Sequence, residues 1–125
     1  MATGLENLEI YSLAKELEAE VCSLVKKFPP EEKFGKSSQL KRSSASVADN
    51  IAESYGRYGF QEKIQFLILA RGSAEEAKSQ IERSKLVCNE DHKICELIKK
   101  YTVEIKMING FIKYLRTKKE NSLTI

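Results

Sequence analysis

The sequence predicts an all-α fold: one antiparallel up-down-up-down four-helix bundle domain over residues 1–125. Three observations predict it. Apolar residues recur at threes and fours in four long stretches, the spacing that keeps side chains on one helix face. No stretch alternates with the period of a strand. The connectors are mostly short, and short links between long amphipathic helices make sequential neighbours run in opposite directions. A chain of 125 residues suits one domain with a modest core, and 42 % apolar with 31 % charged residues suits a soluble helical protein.

Helix one is predicted over about residues 5–28. Leu8, Tyr11, Ala14, Leu17, Val21, Leu24 and Phe28 form its apolar row. Thr3 and Glu6 have the spacing of a capping box. Glutamates crowd its first half and Lys26 and Lys27 its end, an order that complements the helix dipole. Pro29-Pro30 stops it, because proline offers no amide and its predecessor avoids the α region. In the connector that follows, Phe34 is expected to plug the end of the bundle and Gly35 to take a turn with positive φ. Ser37 or Ser38 is expected to cap the next helix.

Helix two, about residues 38–57, carries two stripes. One is apolar: Leu40, Ser44, Val47, Ile51 and Tyr55. The other is polar and nearly uncharged: Gln39, Ser43, Ser46, Asn50, Ser54 and Arg57. Hydroxyls and short amides are poor helix formers, tolerated where helices approach closely or where polar groups pair in a partly buried place. The helix therefore reads as packed on two sides, inward against its own bundle and sideways against another neighbour. Gly56 and Gly59 end it.

Helix three spans about residues 60–87, with Phe66, Leu67, Ala70, Ala74, Ala77 and Ile81 in its apolar row. Gly72, Ser73 and Ala74 make a small-residue patch, read as a place of close backbone approach. Helix four spans about residues 90–117. Asn89 is its expected cap, Glu90 and Asp91 fill its first turn, and Ile94, Ile98, Tyr101, Ile105, Ile108, Ile112 and Leu115 form its row. It is expected to fray near Thr117, leaving residues 118–125 loosely held.

Net charge is +3, unevenly spread: residues 1–30 hold three Lys against five Glu, and residues 91–125 hold eight basic against four acidic groups. A basic end attracts nucleic acid or another acidic surface. The three cysteines, Cys22, Cys88 and Cys95, are odd in number and widely spaced. With no basic-then-apolar leader at the N-terminus, they read as free thiols in the cytoplasm. No stretch approaches the ~20 apolar residues that span a bilayer, so no membrane partner is expected. Cys88, His92 and Cys95 fall at i, i+4 and i+7, but the Asn89 cap interrupts that helix and a fourth ligand is lacking, so neither a metal site nor a cofactor is assigned. There is no phosphate-cradling glycine loop, no nucleophile elbow and no Glu-x-x-His pair, so no enzyme is expected.

Several motifs carry a resemblance. They are Lys27-Phe28-Pro29, Glu32-Lys33-Phe34-Gly35, Ser38-Gln39-Leu40-Lys41-Arg42 with Ser46, and Asn50-Ile51-Ala52-Glu53. On the third helix, Phe66-Leu67, Ala70, Gly72-Ser73 and Glu76 follow. Over roughly residues 8–117 the chain resembles the 23S rRNA intervening-sequence protein family, also called four helix bundle protein. It departs from that family's usual pattern at Ala48, where proline is common, and at Ser54, where glycine is common. The resemblance implies a four-helix bundle assembling as a homopentamer. It also suggests kinship with the accessory protein of diversity-generating retroelements, a basic pentameric ring thought to engage nucleic acid and a reverse transcriptase.

Two functions follow as expectations. In the first, the protein is a pentameric accessory protein that binds structured RNA or DNA through Lys41, Arg42, Arg57, Lys113, Arg116, Lys118 and Lys119. Five copies of a thin basic patch would add through effective concentration and counterion release. In the second, it is an assembly or scaffold module whose partner is a protein. In both, Gln39, Ser43, Ser46, Asn50 and Glu53 are the expected contact between copies.

Overall fold

The computed structural model describes residues 4, 5 and 8–123. Four helices account for most of them: α1 (Glu9–Val25), α2 (Lys36–Tyr55), α3 (Phe60–Arg83) and α4 (Asp91–Leu123). Short 3-10 turns lie at Pro30–Glu32 and Ser84–Leu86, and no strand occurs among the described residues. α1 packs on α2, α2 on α3 and α3 on α4, and α4 returns to α1 by the sparsest of the four contacts. One apolar core runs through all four helices. Its largest fully buried members include Leu17, Leu40, Ile51, Leu67, Ile81, Leu97, Tyr101 and Ile108.

The apolar rows read from the sequence face this core, with additions. Ile10, Ile64 and Leu97 are buried beside the expected residues, whereas Tyr55 is largely exposed. α3 presents Ala70, Ala74 and Ala77, all fully buried.

Several local expectations are corrected. Phe34 does not plug the bundle end but stands 89 % exposed, with the Lys33 ammonium 5.4 Å from its ring centroid. Gly35 has φ −113° and serves as the N-cap of α2, so neither Ser37 nor Ser38 caps it. No described glycine has positive φ. α4 begins one residue beyond the expected start: the Ile94 amide donates to the Glu90 carbonyl, which puts Glu90 rather than Asn89 at the cap. Its other end continues to Leu123 instead of fraying near Thr117. The small-residue patch on α3 is not a place of close backbone approach at Gly72. A Cβ added at Gly72 or at Gly110 would meet nothing within 4 Å, so no backbone approaches either glycine closely. The Thr3–Glu6 capping box lies outside the described residues.

The two departures from the family pattern are accommodated. Ala48 is buried inside an unbroken α2. Ser54 is buried and its hydroxyl donates to the Lys63 carbonyl at 2.9 Å, tying the end of α2 to the first turn of α3.

Candidate nucleic-acid and subunit interfaces

The polar stripe of α2 meets α3 of the same chain. The Ser43 hydroxyl reaches Gln80 Oε1 at 2.6 Å, and Ser46 and Ser73 share a hydroxyl–hydroxyl bond of 2.8 Å. Asn50 Nδ2 donates to both the carbonyl and the hydroxyl of Ser46. Lys63 Nζ lies 3.3 Å from the Ser54 carbonyl. Going up α2 from Ser43 to Ser46 to Ser54, the partners step down α3 from Gln80 to Ser73 to Lys63. The sequence reading expects a second copy on this flank of α2; within the protomer, Ser43, Ser46 and Ser54 find partners on α3 and Asn50 finds its partner on Ser46. Ser43 is buried, Ser46 and Asn50 are half-buried, and Gln39 and Glu53 are exposed.

The expected cations separate into two kinds. Lys41 and Arg42 are exposed on α2, and Lys113, Arg116 and Lys118 on α4. None of these five forms an ion pair with a described residue; Lys118 sits 5.6 Å from the Tyr114 ring. Arg57 is different. It pairs with Glu53 at 2.9 Å and Glu62 at 3.7 Å and lies 4.7 Å over the Phe66 ring. Its charge is already answered within the chain. Lys119 donates to Gln61 Oε1 at 2.7 Å. The two groups of free cations thus sit on different helices, and nothing in one protomer joins them into a single stripe.

A carboxyl that the sequence reading passed over sits in the core. Glu104 on α4 is 0 % exposed, and neither of its oxygens has a hydrogen-bond partner. One turn earlier the Tyr101 hydroxyl is also buried without a partner. Burial pushes the Glu104 carboxyl up to about 8, so it is protonated at neutral pH. Burial, and then the neighbouring Glu104 carboxyl, push the Tyr101 phenol upward as well. The helical period carried the signal: Glu104 follows Tyr101 by three residues and precedes Ile108 by four. Nearby, Lys100 Nζ and Glu20 Oε2 bridge α4 to α1 at 2.8 Å, and that hydrogen bond is the main cause holding the Lys100 ammonium above its usual range.

Cys88 lies in the turn before α4, while His92 and Cys95 are exposed on its first two turns. Among the described residues, no three His, Cys, Asp or Glu side chains converge on a common point. Among the described residues, no helix is long and apolar enough to cross a membrane.

The family model described as 23S rRNA-intervening sequence protein matches residues 6–110, most of the chain. The chain belongs to that family. A solved structure with the same fold is a protein of unknown function from the S23 ribosomal protein family of Bacteroides thetaiotaomicron. It has a TM-score of 0.72 and 24 % sequence identity, covering 83 % of this chain and 98 % of that one. No curated protein matches.

Proposed function

We propose that the protein is a non-enzymatic, cytoplasmic nucleic-acid-binding module that acts as a homopentamer of up-down-up-down bundles. The descending register of bonds between α2 and α3 supports opposite helix directions. The observation that carries the nucleic-acid reading is the set of exposed cations without carboxylate partners: Lys41 and Arg42 on α2, and Lys113, Arg116 and Lys118 on α4. On one protomer they form two thin patches. Repeated around a ring they would add steeply, because each neutralised phosphate releases counterions and linked sites raise one another's effective concentration. Protonated Glu104 helps, since α4 then carries less negative charge at neutral pH than its formula gives. In the proposed contact between copies, Gln39 and Glu53 are the exposed members; Arg57 takes a supporting part by holding Glu53.

A second reading, a scaffold that binds protein, is favoured by exposed apolar side chains on α3 and α4, Leu69, Val103 and Tyr114 among them. Light scattering on the eluting peak, followed by shift assays with structured RNA and duplex DNA across a salt series, separates the readings. The proposal expects five times the 14.2 kDa protomer mass and affinity that falls steeply with salt. A monomer, or no binding at low salt, overturns it in favour of the scaffold.

A further inference from the structure

All four helices contribute to a cavity of about 180 Å³ at one end of the bundle, where α1 and α3 begin, α2 stops and the later turns of α4 pass. Its origin lies in the sequence of α2. The apolar row of that helix runs through Leu40, Val47 and Ile51, but the next bulky residue, Tyr55, turns outward and is 42 % exposed. The inward place at that level falls to Ser54, which is 4 % exposed and too small to fill it. Leu8, Ile10, Ile51, Leu67, Phe111 and Leu115 make the wall. Ile10, Ile51, Leu67 and Leu115 are buried members of the core, so the space reaches into the bundle.

The hydroxyl on this wall is already used, because Ser54 donates to the Lys63 carbonyl. An apolar space with no unanswered polar group holds water poorly. A cavity of about 150 Å³ lined by leucine, isoleucine and phenylalanine stays dry and takes up an apolar guest the size of benzene.

Lys63 is the one charged side chain among the described residues of the lining. Its ammonium lies 3.3 Å from the Ser54 carbonyl and 3.2 Å from the Tyr55 carbonyl, at the rim. Those carbonyls take two of its three N–H groups. No carboxylate among the described residues pairs with it. One N–H and an unneutralised charge are left for a guest that brings an anion to the rim, and a carboxylate accepts such a bond with the help of its own charge.

We propose that this cavity binds a short monocarboxylate, its apolar tail lying between Ile51, Leu67, Phe111 and Leu115 and its carboxylate on Lys63. The site is independent of the nucleic-acid reading, since it lies within one protomer and uses none of the cations assigned there to phosphate.

Methyl NMR of the full chain, with carbon-13 in the isoleucine and leucine methyls, tests it. The titrants are acetate, butanoate, hexanoate, 1-hexanol and hexylamine. Hexanoate is expected to shift Ile51, Leu67 and Leu115 saturably and to leave Ile94 and Leu97, at the start of α4, unmoved. Affinity should rise about fourfold per methylene from butanoate to hexanoate, the yield of burying each one. Acetate should not bind measurably, and 1-hexanol should bind on the order of tenfold more weakly than hexanoate. Lys63→Met keeps the length of the side chain and should weaken hexanoate on the order of tenfold or more, the scale of a lost charged hydrogen bond, without changing 1-hexanol. Leu115→Phe narrows the cavity and should weaken both.

No saturable shift with hexanoate overturns the site, and a flat series from butanoate to hexanoate overturns the seat of the tail. If 1-hexanol binds as tightly as hexanoate, or hexylamine more tightly, the assignment to a carboxylate is wrong. Hexanoate affinity unchanged in Lys63→Met removes the lysine from the site. The titrant series on the unaltered chain decides the question even where a variant fails to fold.

Discussion

Two buried polar regions of this bundle are handled in opposite ways. Along the α2–α3 seam, Ser43, Ser46, Asn50 and Ser54 are all hydrogen-bonded, to each other's helices or to a carbonyl a turn away. On α4, Tyr101 and Glu104 are buried at least as deeply and have no partner at all. The difference lies in side-chain reach and charge. A serine hydroxyl can fall back on its own helix, as Ser44 does with the Lys41 carbonyl, so burying it inside a helix pair costs little. A carboxyl cannot donate unless protonated, and ionised it would carry a charge into a medium that screens it poorly. Holding its proton is the response open to it.

The largest effect should come from removing the unpartnered carboxyl. Glu104 has its pKa raised from 4.5 to about 8 in the folded chain. The folded state therefore keeps a proton that the unfolded state gives up between those values. The corresponding stability is fully present below pH 4.5 and is lost as pH rises toward 8. Glu104→Leu should raise stability at pH 9 by on the order of a few kcal/mol, and chemical denaturation should show a flatter pH profile across this window. Equal sensitivity to alkali in both proteins would erase the contrast between the two regions.

The seam should respond on a smaller scale and without dependence on pH. Ser46→Ala and Ser73→Ala should each cost about 1 kcal/mol, with a coupling of similar size in the double-mutant cycle, because the two hydroxyls bond each other; Ser46 keeps the bond from Asn50 when Ser73 is removed. A coupling near zero would mean that the seam is held by packing alone. Smallest is Gly72→Ala, one residue from the seam. Nothing lies within 4 Å of the added methyl, so thermal denaturation should show a gain of up to about 1 kcal/mol from helix propensity. A loss there would reveal a neighbour that the isolated protomer does not contain.

The same contrast sets what the sequence could disclose. Four helices and most of the core were legible because Leu, Ile, Val and Ala kept a strict period, and the Ser-rich stripe announced that α2 had company on a second flank. The sequence reading took that company to be another copy, whereas α3 of the same chain supplies partners for Ser43, Ser46 and Ser54. Gln80 looks like ordinary surface in one dimension, and Ser73 stood out only as part of a small-residue patch, with nothing to say that its hydroxyl meets Ser46. Glu104 was hidden by its type, since glutamate on a long charged helix reads as solvent-facing even when the period puts it between Tyr101 and Ile108. Phe34 failed in the other direction, an apolar residue in a connector that the fold leaves in water.

This bundle answers the serines and Asn50 of its α2 stripe from within and keeps one core carboxyl neutral. Carbon-13 NMR of the glutamate side-chain carboxyls across a pH titration tests it most directly. One resonance, absent from Glu104→Gln, should remain protonated at pH 7 and titrate near 8. If every glutamate has ionised by about pH 5, as exposed carboxyls do, Glu104 is in contact with water or a partner and the account of the core is wrong.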